Sequence, residues 1–288
     1  RKWFIVFKMK KIFITYADNN FKKSARRIKS EAVKLNLFDD FIIYKPEKLP
    51  SAVRNHPVFA FKKGGGYWLW KAYIIYNTLE KMNWNDILCY SDAGSVLFKS
   101  DEWFKYMQIL ESKDAVFFQY KDENYNWGHP RLKDWIKKST FLYFKDISNS
   151  DDWCNQPKFL AGLMLLKKTP KTVEFIDDWF KIMALLPNLL VDEFGVEKEK
   201  GDYSFYAHRH DQSILSSMLL TYKNLNFEYI PEDSENKRIG QAVFAARIKD
   251  KEKEPLAKIL RRYLKKIIGK NLYEKIKQLV NATLNHNN

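Results

Sequence analysis

Short β-branched and aromatic runs alternate with stretches of helical spacing along most of this chain, and that alternation most narrows what it can fold into. Ile12 to Tyr16, Phe41 to Tyr44, Asp86 to Tyr90, Ala115 to Gln119, Phe159 to Leu166 and Phe227 to Ile230 read as strands. Between them, Phe21 to Leu37, Tyr67 to Met82, Glu102 to Leu110, Leu132 to Lys138, Lys171 to Leu186 and His210 to Tyr222 carry apolar residues at helical spacing. Thr169-Pro170 marks one helix start, and Gly195 to Gly201 is a charged stretch that reads as a loop. Strands separated by helices imply an α/β fold, a Rossmann-like, mostly parallel sheet with both faces covered.

The composition supports this. Of 288 residues, 45% are hydrophobic and 16% aromatic, enough to bury a core and offset ordering entropy. The sequence divides into one large domain over residues 9–248 and a basic amphipathic helical tail over residues 249–288. From Lys251 to Lys277 there are ten basic side chains against three acidic ones. Leu256, Ile259, Leu260, Tyr263, Leu264, Ile267 and Ile268 fall on one face of that tail. The two cysteines, Cys89 and Cys154, make neither a disulfide framework nor a cysteine zinc site, and Cys89 sits in an apolar run expected in the core. A reduced, cytoplasmic setting fits them.

The formal net charge of +15 favours anionic partners. No run of residues is long and apolar enough to span a bilayer. Arg1 to Phe7 is basic then apolar, without a full signal-peptide core or cleavage site, and Met9 can serve as a start that makes residues 1–8 an extension.

Two places hold the residue types that chemistry needs. Asp92 follows the apolar strand ending at Tyr90, where a covered α/β sheet presents side chains to ligands. An acid there can hold a divalent cation against a diphosphate or accept hydrogen bonds from ribose or sugar hydroxyls. Ala93 follows, and Gly94 removes a side chain where a phosphate must come close. A strand-end aspartate can also merely shape a turn. Gly64-Gly65-Gly66 opens a helical pattern with Lys71 one turn in, so that backbone N–H groups and an ammonium could meet phosphates. Tyr67, Trp68 and Trp70 either stack on a base or sugar or belong to the core. The run is not a P-loop, since no Gly-Lys-Ser/Thr ending follows.

The stretch His208-Arg209-His210-Asp211-Gln212 is the other dense cluster. A carboxylate at a helix start beside imidazoles and a guanidinium can position a hydroxyl and stabilise developing charge. Asp211 as a simple N-cap and the histidines as surface residues are the plainer alternative. His56 and His129 read as structural. Asp177-Asp178 reads as a solvated helix face, and Asp151-Asp152 as a loop.

Gly64 to Lys71, Asp86 to Gly94, Phe159 to Lys168 and His208 to Leu220, in that order, resemble bacterial glycosyltransferases of capsule and lipopolysaccharide gene clusters. The resemblance spans roughly residues 11–231. It implies a GT-A-type fold, a nucleotide-sugar donor, UDP-linked by preference, and a hydroxyl of a surface glycan or lipid-linked glycan as acceptor. It places Thr15, Tyr16, Gly65, Gly66, Tyr67, Trp70, Lys71, Asp92, Ala93 and Gly94 at the donor, and Gly162, His208, His210, Asp211 and Gln212 at the acceptor or reacting centre.

Asp92 resembles the first acid of a metal-binding Asp-x-Asp, with Mn²⁺ or Mg²⁺ as the implied ion. The triplet here is Asp92-Ala93-Gly94, so the second acid is missing. An inverting reaction would use Asp211 as general base, and a retaining one would have Asp211 or Gln212 line the sugar. The leading reading of the tail is a helix lying on an anionic membrane, which puts the protein on the inner face of the cytoplasmic membrane; packing on the domain and a dimer contact are the alternatives behind it. Two rivals stand beside this reading. One is a non-catalytic nucleic-acid-binding protein, disfavoured because the charge gathers in the tail and no nucleic-acid motif occurs. The other is a transferase of another phosphate-activated group on the same fold.

Overall fold

The structure is a computed structural model that describes residues 9–121, 129–192, 205–231 and 234–250. The chain divides into two units, Arg1–Asp250 and Lys251–Asn288. The basic tail and the Gly195 to Gly201 stretch lie outside the described residues.

The strands are β1 (Lys11–Tyr16), β2 (Asp40–Tyr44), β3 (Ile87–Ser91), β4 (Val96–Leu97), β5 (Ala115–Gln119), β6 (Leu163–Lys167), β7 (Phe227–Pro231) and β8 (Val243–Phe244). The helices are α1 (Lys22–Lys34), α2 (Ser51–Arg54), a single turn α3 (Gly64–Tyr67), α4 (Leu69–Lys81), α5 (Glu102–Ser112), α6 (Lys138–Ser148), α7 (Pro170–Leu185), α8 (Pro187–Leu190) and α9 (Asp211–Thr221). Six strands form one sheet in the order β2-β1-β3-β6-β5-β7, and β4 pairs with β8 alone. All main-sheet strands run parallel except β6, which is antiparallel to both β3 and β5. The mostly parallel, helix-covered sheet expected from the alternation is therefore present.

The central strands bury both faces. Leu88 and Tyr90 of β3 and Met164 and Leu166 of β6 pack with α4, α7 and α9 through Ile75, Trp179 and Leu215. Ile87 and Cys89, with Leu163 and Leu165, pack the other face against Ile28 of α1 and Trp103 of α5. Period-two alternation onto two apolar layers is why these strands read as unbroken hydrophobic runs. Cys89 is fully buried, and burial pushes its thiol pKa up, as a core thiol requires.

Several element boundaries differ from the sequence reading. The Leu132 to Lys138 stretch is a 3₁₀ turn over Leu132–Trp135 that ends at the extended Ile136, and the helix proper is α6. The strand expected from Phe159 begins only at Leu163, because Phe159 makes an isolated bridge to Gln119 and the chain then turns through Gly162.

Connectivity creates a crevice. From β1 the chain runs through α1, on one face, to β2; from β2 it returns through α4, on the opposite face, to β3. The carboxyl ends of β1 and β3 thus lie at a topological switch point, where open α/β sheets bind ligands.

One anion site at this rim is already filled. The N-cap of α1, Phe21, has no side-chain acceptor, and the N–H groups of Lys23 and Ser24 donate instead to the two carboxylate oxygens of Asp250, at 2.6 and 2.9 Å. The Ser24 hydroxyl also donates to Ile248 O at 2.9 Å. These bonds hold the Asp250 carboxyl below its usual pKa despite opposing desolvation. The cap pins the C-terminal end of the described chain to α1 and leaves no open helix N-terminus for a phosphate after β1. Asp250→Ala is expected to cost about 1 kcal/mol, read as a fall in melting temperature of about 2–4 °C for a domain of this size. An unchanged melt would show that the cap does not hold this segment.

Candidate active site

Asp92 leaves the end of β3 with its N–H donating to Gly162 O at 2.9 Å, and its carbonyl accepts from Ser95 N at 3.0 Å. Its side chain is 44% exposed and reaches the crevice. Asp92 Oδ1 accepts a 2.5 Å hydrogen bond from the Tyr90 hydroxyl and lies 3.6 Å from Lys71 Nζ. A Cβ on Gly162 would sit 2.9 Å from Asp92 Oδ2, so only glycine leaves that oxygen its place. Tyr90 was not singled out from sequence, although residues two apart on a strand share a face and so pair Tyr90 with Asp92.

Lys71, in the first turn of α4, is 3% exposed. Its ammonium donates to Asp211 Oδ2 at 2.6 Å and to Ala161 O at 3.2 Å. Burial works to lower the Lys71 pKa, but the carboxylates of Asp211 and Asp92 outweigh it and hold the amine charged. Asp211 opens α9 with a side chain 7% exposed. Burial raises its carboxyl above the usual range, and the ammonium opposes that shift. Burial, then the charge of Asp92, pushes the Tyr90 phenol well up, so it remains a proton donor. The second and fourth sequence motifs thus meet through Lys71 of the first. Of the three charged groups, Asp92 alone is open to solvent.

Other sequence candidates sit differently. The chain from Gly64 to Trp68 has φ values of +57°, +58°, +93°, +49° and +60°, a left-handed turn that is unstrained for the glycines but costs about 1–2 kcal/mol at each of Tyr67 and Trp68. Within it, the N–H groups of Gly65, Gly66 and Tyr67 donate to Lys62 O, Phe61 O and Lys63 O. The expectation that Gly65 and Gly66 cradle a phosphate finds no open donors there, because the tight turn consumes them. The glycines serve the turn that delivers Lys71.

Tyr67 is fully buried, and Trp70, 6% exposed, stacks on Tyr16 at 3.7 Å between ring centroids, so these rings belong to the core. Thr15 is also fully buried, and its Oγ1 has no partner. Gly94 admits a close neighbour, but that neighbour is the chain itself. A Cβ there would lie 3.1 Å from Arg247 Cα, and Ile248 N donates to Gly94 O at 2.9 Å. Ala93 is buried, and its carbonyl accepts from Arg27 Nη2 at 3.2 Å; the same nitrogen reaches Ser95 O at 2.8 Å and so fixes the loop after Asp92.

His208 and His210 are buried latches. His208 Nε2 and His210 Nδ1 each lie 2.9 Å from the carbonyls of Leu189 and Leu190, and His210 stacks on Trp68. Burial lowers the pKa of His210 to about 4 and takes His208 well below the ordinary histidine value. Both rings are neutral near pH 7 and supply no positive charge there. A histidine pKa depressed on folding means that the unfolded state binds the proton more tightly below pH 6.5. Their contribution is therefore intact above about pH 6.5 and is lost as pH falls through that value towards 4. Melting temperature should drop between pH 6.5 and 4.5, with a shallower drop in His210→Phe. A wild-type melt that stays flat across that window would contradict these assignments.

Gln212 donates to Phe159 O at 2.6 Å. Asp177 pairs with Lys181 at 2.6 Å and Asp151 with Lys145 at 3.3 Å, both at the surface. His56 caps a short turn through Val58 N and meets Ala184 O.

A divalent cation could draw one ligand from this site, Asp92 Oδ2, since Oδ1 is taken by Tyr90 and faces an ammonium. Among the described residues no three His, Cys, Asp or Glu side chains converge to hold a metal. The arrangement fits an ion coordinated jointly with substrate phosphates, as Mg²⁺ often is, and not one caged by protein alone. A surface depression of about 820 Å³ lies at the opposite end of the sheet, beside Lys11, Trp103, Phe104 and Lys167, away from all of these groups.

No protein-family model and no curated protein matches the chain. Among solved structures it is similar to the galactosyltransferase LgtC in complex with donor and acceptor sugar analogs, at 14% identity over 76% of this chain and 72% of that one, with a TM-score of 0.40. It is similar to the bifunctional glycosyltransferase WbbM at 8% identity over 86% and 47% of the two chains, with a TM-score of 0.45. Mouse xyloside xylosyltransferase 1 gives 11% identity over 77% and 85%, with a TM-score of 0.41. Likeness at this level carries no function across, and the functional reading rests on the site.

Proposed function

We propose that the protein is a GT-A-type glycosyltransferase that takes a sugar from a nucleotide-diphosphate donor and passes it to a glycan hydroxyl. The observation that carries this is Asp92. It is a solvent-reaching carboxylate at the β1–β3 switch point, fixed by Tyr90 and by a buried ammonium. Tyr16, stacked on Trp70, borders the nucleoside end of the crevice. Asp92 Oδ2 either accepts hydrogen bonds from sugar or ribose hydroxyls of the donor or would hold a Mn²⁺ or Mg²⁺ together with the diphosphate, which would supply charge neutralisation of the leaving group.

Asp211 takes a different part from general base. Asp211 is buried and its Oδ2 is held by the Lys71 ammonium at 2.6 Å, so it positions Lys71, and Lys71 holds Asp92. The acceptor in this reading is a surface glycan of the capsule or lipopolysaccharide type, and the basic tail brings the enzyme to the inner face of an anionic membrane. Removal of residues 251–288 is the corresponding vesicle-binding test.

A panel of nucleotide sugars, assayed for release of nucleoside diphosphate, tests the reaction. Release from at least one sugar donor is expected. Release only from non-sugar phosphate-activated donors would favour the other transferase class. A salt-sensitive oligonucleotide shift without any nucleotide-sugar binding would favour the nucleic-acid reading.

A further inference from the structure

Lys71 and Asp211 meet where the starts of α4 and α9 lie together, and the residue before each helix holds backbone that side chains avoid. Trp68, before α4, has φ +60° and ψ +16°, and its carbonyl accepts from Lys71 N at 2.8 Å. His210, before α9 and next to Asp211, has φ +55° and ψ −116°. That combination belongs to the first central position of a type II′ turn, where glycine is the usual occupant. Nothing in starting a helix asks for it. Thr169 opens α7 from extended backbone, at φ −129° and ψ 161°, and caps it with its side-chain oxygen, whereas His210 gives α9 no side-chain cap.

The His210 side chain is bound elsewhere. It is 3% exposed, and Nδ1 donates to Leu190 O at 2.9 Å, since a carbonyl can only accept. Its ring stacks on Trp68, with 5.7 Å between centroids and 19° between planes, and lies edge-on to Tyr67 at 4.8 Å. The strained residue before one helix is therefore packed on the strained pair before the other. A sparsely populated conformation persists only where its surroundings over-determine it, and such places cluster at sites that need a fixed geometry. Here that geometry is the 2.6 Å contact of Lys71 with Asp211, whose two residues directly follow these strained positions in the first turns of α4 and α9.

We infer that His210 is a positioning residue: its strained backbone and its stack on Trp68 set the starts of α4 and α9 so that Lys71 meets Asp211 and, through Lys71, Asp92 is held at the rim. The ring touches Leu190, Tyr67 and Trp68, and it acts through the pair without meeting substrate. The inference rests on the glycosyl-transfer reading for its effect on turnover. The pair itself is read by melting, which needs no donor.

In the full chain, His210→Gly should melt about 2–4 °C above His210→Ala, although it fills less space, because only glycine adopts this backbone freely. The reverse order would show unstrained backbone and overturn the inference. Lys71→Met should lower the melting temperature in His210→Gly by about half as much as in the otherwise wild-type chain, or less, because a loosened pair has less to lose. An equal fall in both backgrounds would mean that His210 does not set the pair. Trp68→Leu attacks the same stack from the α4 side and should shrink that fall too; an undiminished fall there overturns the inference even if the His210 variants do not fold. Against a sugar donor that the wild-type chain turns over, His210→Gly should lower kcat about tenfold or more while the donor KM changes by less than about twofold. Unchanged kcat would count against positioning. A loosened pair in a chain that releases nucleotide from no sugar donor would contradict the proposed reaction and leave His210 as the brace of a buried ion pair.

Discussion

Lys71→Met should lower turnover by about 10²–10³-fold and cost about 3 kcal/mol of stability. The ammonium lies between Asp211, at 2.6 Å, and Asp92, at 3.6 Å. Methionine keeps the volume and removes the charge, which leaves the Asp211 carboxylate buried without its partner. The low end of the cost range for a broken buried pair applies, because burial already raises the Asp211 pKa and the acid can take up a proton. A loss of that size corresponds to a fall in melting temperature of about 6–12 °C for a domain of this length.

The double variant Lys71→Met/Asp211→Asn separates the two roles. Removing both charges should restore most of the stability, since no uncompensated ion remains, while turnover stays low because nothing fixes Asp92. Recovery of both together would mean that the pair is structural and has no part in the reaction.

Asp92→Asn should lower turnover by a similar 10²–10³-fold, roughly, with the fold nearly untouched. The side chain is 44% exposed, and the amide oxygen of asparagine can still accept the Tyr90 hydroxyl bond. The melting temperature should stay within about 2 °C of wild type, as for an exposed substitution. What disappears is the negative charge that would hold a cation or draw sugar hydroxyls at the crevice mouth. Wild-type turnover in this variant would remove Asp92 from the chemistry. A large drop in melting temperature would make any loss of activity a folding effect.

Much of this was legible in the sequence, for physical reasons particular to each element. Asp92 could be found because an apolar strand cannot end in an acid without presenting it at the sheet's rim. Ala115 to Gln119 was read with its observed bounds because a strand buried on both faces tolerates no polar interruption. The reversal of β6 was not legible, since an unbroken apolar run has no direction of its own; direction comes from the connections. The Lys71–Asp211 contact joins residues 140 positions apart. It exists because α4 and α9 pack on one face of the sheet, which no local pattern encodes.

The aromatic motif was half legible. Its importance showed in the clustering of Tyr67, Trp68 and Trp70, but whether such rings stack on a ligand or on each other depends on where the chain turns, and five successive left-handed residues turn them inward. Gly94 was read as room for a phosphate, and the room is taken by Arg247 from a segment more than a hundred residues away.

The most direct measurement is a crystal structure of the full chain soaked with UDP and Mn²⁺. It should show the diphosphate in the cleft at the carboxyl ends of β1 and β3, with Asp92 Oδ2 turned to it or to a shared ion, and Lys71 still bound to Asp211. Nucleotide seated at the far end of the sheet beside Lys11 and Trp103, or no bound nucleotide at saturating concentration, would contradict the account.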